Sequence, residues 1–440
     1  MRFKTFSHGV HPAEAKITSD AKIRRFPFAS ELTVLLSQHI GRPAKAIVFK
    51  GQEVVRGERI AEADGLMSIP LFAPATGVVS EIGETINADG VMTPSITITP
   101  FPASEQIVYH KKPLDVDSLS PDELVSAIQN IGMVGLGGAA FTAHVKFSPP
   151  KDKTIETFII NGCECEPYLT ADHRVMLEHP EDIISGIRII LKITGAGRAI
   201  IATESNKQDA ADLLAKAAKD DARISVEVLK TKYPQGAEKL LTRALLGKDV
   251  PSGGLPADIG VVVSNVTTVA EIGALLPMGC GIIERVITVS GQGVSKPGNF
   301  RVPIGTPLEF VLDQAGLNDQ ARQVIFGGPM MGKSVSYLGT PITEGVTSIV
   351  VLSESELAQG QGRIHACIQC AECVRSCPIH LNPSKLGRLA RKSRFDEMVE
   401  GYNLFDCFEC GSCSYVCPSH IPLVQMFRIA KKVVRSRSSG

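Results

Sequence analysis

Between residues 43 and 83, "PAKAIVFKGQEVVRGERIAEADGLMSIPLFAPATGVVSEIG", apolar and polar positions alternate in short runs that break at Gly51, Gly57, Gly65, Gly77 and Gly83. A period of two punctuated by glycine predicts short strands folded into a small β-sandwich. From about residue 117 the pattern changes. "SPDELVSAIQNIG" reads as a helix opened by Ser120 and Pro121, "TIETFIING" as a strand and "PEDIISGIRIILKITG" as a helix. "AIIATE" and "ISVEVLK" are further strands with the helical "KQDAADLLAKAAKD" between them. Such alternation predicts a mixed or parallel sheet covered by helices, with a ligand site at the strand ends. The most apolar region, 259–283, carries Asn265, Glu271 and several Gly and Thr, and so predicts a buried strand followed by a helix, not a membrane span. Residues 284–335 read as hairpin strands, one short helix and a returning strand, a small α+β module. After the polar linker "SESELAQGQGR" come two cysteine arrays separated by "NPSKLGRLARKSRFDEMVEGY", which predicts one helix. The expected organisation is a multidomain α/β chain with units at 1–105, 115–275, 280–345 and 355–430.

Composition narrows the function. Lys plus Arg and Asp plus Glu both count 46, which leaves no general attraction for nucleic acid. The start, "MRFKTFSHGVHPAEAK", is polar throughout and shows no secretory signal, and no uninterrupted apolar run is long enough to span a membrane. A cytosolic protein is expected, with membrane contact only through a partner. Eleven cysteines in that reducing compartment are seldom disulfides.

Eight of them lie between 367 and 417 and form two copies of C-x2-C-x2-C-x3-C-P: Cys367, Cys370, Cys373, Cys377 with Pro378, and Cys407, Cys410, Cys413, Cys417 with Pro418. In two-cluster ferredoxin folds the fourth cysteine of each run ligates the other cluster. One 4Fe-4S cluster is therefore expected on Cys367, Cys370, Cys373 and Cys417, and a second on Cys407, Cys410, Cys413 and Cys377. The competing reading is zinc, which needs neither the third cysteine of each loop nor the trailing proline.

Four further stretches carry chemistry. "GMVGLGGAAFTAHVKF" offers glycine backbone to an anion and Lys146 as a counter-charge, although Gly135, Gly137 and Gly138 match neither the P-loop nor the dinucleotide spacing and suit a plain flexible loop equally well. "IINGCECEPYLTADHR" ends a strand with Asn161, Glu164 and Glu166, acceptors for ring N–H groups, amides or ribose hydroxyls. Its Cys163 and Cys165 lack a third ligand and read as structural. "KYPQGAEKLL" sets Tyr233, Gly236 and Glu238 at a turn before a helix, and "SNVTT" covers 264–268.

In this order the motifs resemble the RnfC family, a component of the Rnf complex, the ion-translocating ferredoxin:NAD oxidoreductase. The resemblance extends to "HGVHPAE", "LLSQHIGRPA" and "FGGPMMG" and covers nearly the whole chain. The first unit resembles the biotinyl and lipoyl carrier fold. The matching hairpin, "EADGLMSIPLF", has no lysine to carry a prosthetic group, so a structural or docking module is expected. The second unit is similar to the FMN- and NADH-binding 51 kDa subunit of complex I, the third to a β-grasp-like SLBB module and the fourth to a two-cluster ferredoxin. The resemblance implies FMN and two 4Fe-4S clusters as cofactors and NAD(H) as substrate. It places Gly135, Gly137, Gly138 and Lys146 along the FMN phosphate and NADH side, and Asn161 and Glu164 toward the flavin. Glu166 falls on the nicotinamide nucleotide, Phe141 is to stack with NADH, and Tyr233, Glu238, Asn265 and Thr268 complete the pocket. Where the complex I pattern has arginine, this chain has Val134 and Leu136. The resemblance further implies a peripheral subunit on the cytoplasmic side of the bacterial inner membrane, partnered by other subunits and indirectly by ferredoxin. Two other readings share these features: an RnfC-like cobalamin reductase of a bacterial microcompartment, and a flavin-free electron-transfer scaffold. The basic tail "KKVVRSRSSG" reads either as a docking segment or as a solvated, disordered end.

Overall fold

The computed structural model describes residues 3–109, 113–150, 152–360 and 363–438. The alternating N-terminal pattern folds as two small antiparallel sheets. One is built on β1 (Leu32–Leu35), β2 (Gly77–Ile86) and β3 (Met92–Pro100), with β3 between the other two and Glu53–Val54 on the far edge of β2. The other pairs Lys45–Ala46, Arg59–Glu62 and Leu71–Phe72. Val34, Ile60, Ile69, Val79, Ile96 and Ile98 point inward and are buried, which is why every second position in these runs is apolar.

The second unit opens with α1 (Pro121–Asn130). Its start follows the sequence signal: Glu123 N–H donates to Ser120 Oγ, and Ser120 N–H donates back to the Glu123 carboxylate at 2.8 Å. Then come β4 (Thr157–Gly162), α2 (Ala171–Glu178), α3 (Pro180–Thr194), β5 (Arg198–Glu204), α4 (Gln208–Ala217), β6 (Ile224–Leu229), α5 (Glu238–Leu246), β7 (Val261–Asn265) and α6 (Val266–Met278). All four strands run parallel, in the spatial order β6, β5, β4, β7. The order reverses between β4 and β7, so a crevice opens beyond their carboxyl ends. Helices α3 and α6 touch backbone to backbone, since a Cβ on Gly273 would fall 1.9 Å from Asp182 O and one on Gly186 would fall 2.0 Å from Val269 O. That contact anchors the start of α6 against the sheet.

In the third unit β8 (Glu284–Ser290) pairs antiparallel with β9 (Gly298–Pro303), and the helix Leu308–Gln314 leads to β10 (Ala321–Phe326). Two strands join that the sequence pattern did not reveal. β11 (Ser348–Ser353) lies between β8 and β10, and Ile23–Arg25, from the far end of the chain, pairs parallel with β9. The segment expected to be a polar linker begins inside β11 and continues as the helix Glu354–Gly360, while residues 361 and 362 lie outside the described residues.

The stretch expected to be a single helix between the cysteine arrays is two, α7 (Pro383–Arg391) and Phe395–Glu400, because Ser393 adopts a left-handed backbone at φ 51° and turns the chain. The tail is helical as well: α8 (Leu423–Ser438) buries Leu423, Val424 and Phe427 against Leu386, Leu389 and Leu404. Residues 439 and 440 of the expected tail lie outside the described residues.

Candidate functional site

The cysteines surround two separate cavities. Cys367, Cys370, Cys373 and Cys417 line one of about 550 Å³, part of it open to solvent, together with Gly387, Arg388 and Arg391. Cys377, Cys407, Cys410 and Cys413 line the other, about 350 Å³, walled by Leu381, Leu386, Val424 and Phe427. Each ring thus takes three cysteines from one array and the fourth from the other. Among the described residues, no three His, Cys, Asp or Glu side chains converge on a point that could hold a single metal ion. The thiols ring a space, so a centre larger than one ion fits them. Burial pushes the Cys413 thiol well up, and the charges of Cys407, Cys410 and Cys377 push it further. Four thiolates so enclosed need a cationic centre among them, which an iron–sulfur cluster supplies.

At the carboxyl ends of β4 and β7 the residues singled out in sequence are drawn into a chain of hydrogen bonds. Asn265 caps α6 by accepting from Thr268 N–H at 3.2 Å, and Thr268 Oγ1 accepts from Leu136 N–H at 2.8 Å. This fixes the glycine loop beside the helix start. Asn265 Nδ2 and the Thr267 hydroxyl donate to the two oxygens of Asp172 at 2.7 and 2.6 Å. Asp172 N–H and His173 N–H in turn donate to the Glu164 carboxylate at 3.0 and 3.4 Å, so Glu164 sits on the N-terminus of α2. Gly137 and Gly138 are exposed, and Gly137 lies against the Asn265 side chain, where a Cβ would stand 3.1 Å from the asparagine Cβ. The loop closes on itself through Gly135 N–H donating to Phe141 O at 2.7 Å, and Phe141 is half-buried. Exposed glycine backbone beside a capped helix start is a donor set that fits a phosphate-bearing flavin.

The other expected residues pair among themselves. Lys146 Nζ donates to Glu238 Oε1 at 2.5 Å, and Asn161 Nδ2 donates to Gly236 O at 2.8 Å. Glu166 is enclosed: its carboxylate accepts from the Met330 and Met331 amides at 3.1 and 2.9 Å, and a Cβ on Gly328 would lie 2.2 Å from Oε2. "FGGPMMG" is therefore the strap that wraps Glu166. Burial raises this carboxyl to about 7 despite those amides. The Tyr233 hydroxyl, 3.5 Å from Glu166, donates to Cys410 O at 2.6 Å and so joins the crevice to the second cysteine ring.

Sequence reasoning missed three participants. Lys16 donates to Glu164 O, Glu166 O and Leu169 O at 2.7, 2.7 and 2.6 Å. Lys207 pairs with Glu204 at 3.0 Å beneath the same loop. Arg285, from β8, donates to Leu136 O, whereas Val134 and Leu136 are fully buried. All three approach from other parts of the chain, and of them only Lys16 lies beside a recognisable motif, "HGVHPAE".

Near Arg285 the Glu344 carboxyl is 1% exposed, and burial lifts it to about 8 against the pull of that guanidinium. Its folded state holds a proton that the unfolded chain releases near the ordinary carboxylate range, so its contribution to stability declines as pH rises between these two values. Glu344→Gln, which keeps the shape without the ionisation, should therefore gain on the parent from about pH 5 to about pH 8, by up to a few kcal/mol in urea unfolding. A difference that is flat with pH would show Glu344 to be ionised throughout.

A flavin-type crevice on a parallel sheet joined to two cysteine-ringed cavities defines an iron–sulfur flavoprotein with a two-cluster ferredoxin module. Comparison with known families identifies the units in order: the RnfC barrel sandwich hybrid domain over residues 4–101, the Nuo51 FMN-binding domain over 128–274, the SLBB domain over 286–334 and the 4Fe-4S dicluster domain over 356–422. The chain belongs to the RnfC family, the C subunits of the ion-translocating Rnf oxidoreductase complexes. It is 40% identical to the C subunit of the proton-translocating ferredoxin:NAD(+) oxidoreductase complex of Clostridium ljungdahlii over 92% of this chain and 88% of that one. It is 38% identical to the C subunit of the Na(+)-translocating complex of Acetobacterium woodii, over 91% and 90%. The C subunit of the ion-translocating oxidoreductase complex of Rhodobacter capsulatus is 35% identical, over 86% and 73%. Among solved structures, an NAD+-reducing NiFe-hydrogenase in the H2-reduced state superposes with a TM-score of 0.51 at 19% identity, over 75% of this chain and 69% of that one, which speaks to the fold. The cofactor complement is FMN and two 4Fe-4S clusters.

Proposed function

We propose that this chain is the peripheral, NAD(H)-facing subunit of an ion-translocating ferredoxin:NAD oxidoreductase, and that it works on the cytoplasmic side of the membrane. A flavin held in the crevice would supply hydride exchange with the nicotinamide and its conversion to single electrons, the form iron–sulfur clusters accept. The chain's own residues hold and align these groups. Gly137, Gly138 and the start of α6 would receive the FMN phosphate, with the Asn265–Thr268 cap holding the loop in place. Asn161, Glu164 and Phe141 would border the ring and nicotinamide side, with Lys146 and Glu238 flanking the entrance. Cys367, Cys370, Cys373 and Cys417 would carry one cluster, and Cys377, Cys407, Cys410 and Cys413 the other.

The observation that carries the reading is the Tyr233–Cys410 hydrogen bond, which sets a cluster ring directly against the flavin crevice. No helix among the described residues is long and apolar enough to cross a membrane, and the relatives translocate different ions, so ion choice falls to partner subunits. The match to an FMN-binding domain counts against a flavin-free scaffold, and relatives that are C subunits of ion-translocating complexes count against a microcompartment cobalamin reductase.

Anaerobic titration of the purified chain with NADH tests the proposal. Flavin absorbance should bleach first and the broad iron–sulfur absorbance should follow. Clusters that dithionite reduces but NADH does not would refute it.

A further inference from the structure

The two cluster cavities face different surroundings. The ring of Cys377, Cys407, Cys410 and Cys413 is held against the rest of the chain: Tyr233 donates to Cys410 O, His8 Nδ1 lies 3.1 Å from Cys377 O, and Gly9 N–H donates to Ser376 O at 3.1 Å. Gly411 packs on Met330 O, where a Cβ would come within 2.7 Å, and Arg428 donates to Met331 O at 3.1 Å. The ring of Cys367, Cys370, Cys373 and Cys417 has no such cover. Among the described residues, the hydrogen bonds of 364–373 stay within the iron–sulfur module. Cys367 itself is exposed, and the flanking Ile364 and Ile368 are 54% and 67% exposed.

The charge around this open mouth is one-sided. Arg388 and Arg391 line it from α7, Lys392 follows at the helix end, and all three are exposed with no carboxylate partner among the described residues. Within the same module Glu372 is engaged with Arg375 and Glu397 with Arg394. In a chain whose charges balance overall, this is a local basic rim around two exposed isoleucines.

We propose that the rim of the Cys367 cavity is the docking surface for the chain's external one-electron partner, an iron–sulfur protein that presents an acidic face over its own centre. The inference rests on the electron-transfer reading above. The Cys377 ring is the inner station beside the flavin crevice, and the Cys367 ring is the port. Electron transfer falls steeply with distance, so a partner must sit over the cluster it serves, and of the eight cluster cysteines Cys367, on this ring, is the exposed one. Basic rim charges steer an acidic partner and set orientation more than they add affinity, while exposed isoleucines supply apolar anchors.

The probe is a small acidic 4Fe-4S ferredoxin, and its binding to the cluster-loaded chain is measured by calorimetry without NADH. Binding should occur at low ionic strength and weaken as salt rises past the Debye regime of about 0.1 M. The double reversal Arg388→Glu with Arg391→Glu should weaken it roughly tenfold or more, and Lys392→Glu, outside the cavity lining, should weaken it severalfold with iron content intact. Lys216→Glu on the remote helix α4 should leave it unchanged. No binding at low salt, binding indifferent to salt, or equal losses from Lys216→Glu and Lys392→Glu would each overturn the proposal. Because the binding is scored without NADH, its failure is separate from failure of the NADH titration.

Discussion

Cys377→Ala should remove the cluster built around Cys407, Cys410 and Cys413 and spare the one on Cys367, Cys370, Cys373 and Cys417, although Cys377 belongs to the first array. Its thiol is 7% exposed and lines the second cavity, not the first. The crossing follows from the chain path. After Cys377 and Pro378 the backbone runs into α7, which packs on α8, the helix that follows the second array, and so the fourth cysteine arrives at the opposite ring. With three thiols left around an apolar cavity, the cluster loses a corner ligand. Glu409, the carboxylate on that lining, is already tied to Arg428 and Lys431 and does not replace it. Iron should fall from about eight to about four atoms per chain, and the remaining electron paramagnetic resonance signal should be that of the surviving cluster. The second readout concerns the relay. The lost cluster is the one against Tyr233, so NADH should no longer reduce the survivor, while dithionite still should. The mirror variant Cys417→Ala should keep NADH reduction of the inner cluster. Loss of the Cys367 cluster in Cys377→Ala would reverse the assignment of ligands.

How far the sequence carried depends on distance along the chain. The α1-to-α6 core was legible because its elements are periodic and bounded by their own signals: Ser120 and Pro121 open α1 as expected, and the apolar run from 259 resolves into β7 and α6. Cysteine spacing was legible for the same reason, since ligand geometry is written into intervals of two and three residues. What stayed hidden depends on partners far away in sequence. Ile23–Arg25 is three residues long and becomes a strand only because β9 offers an edge, and the turn at Ser393 is required by the packing of α7 rather than by its own residue type. At the site, reading Glu164 and Glu166 as acceptors was sound in chemistry. Their acceptor positions, however, are filled from within, by the α2 amides and by the Met330 strap, which a linear reading cannot bring together.

Lys16→Met should be the most damaging single change at the flavin crevice that leaves every expected contact residue in place. Lys16 donates its three ammonium protons to Glu164 O, Glu166 O and Leu169 O, and thereby ties down the whole "CECEPYL" turn from below. Methionine matches the length of the stem but donates nothing, so three carbonyls that face the interior lose their partner. Each such loss costs about 1–3 kcal/mol when water cannot enter, offset in part because burial and the neighbouring Lys207 disfavour the Lys16 charge more than Glu164 and Glu204 favour it. A destabilisation of roughly 3–5 kcal/mol is expected in urea unfolding. The effect on the site is more specific than the loss of stability. When the turn loosens, Glu164 leaves the α2 start, Asp172 loses its fixed place, and the Asn265 and Thr267 side chains that it holds relax with it. Flavin content should therefore fall while the two clusters, ringed by a separate core, stay loaded. Flavin and iron assayed on the same preparation decide between the two accounts: parallel loss of both would mean general unfolding, and loss of flavin alone would mean that Lys16 holds the crevice in shape.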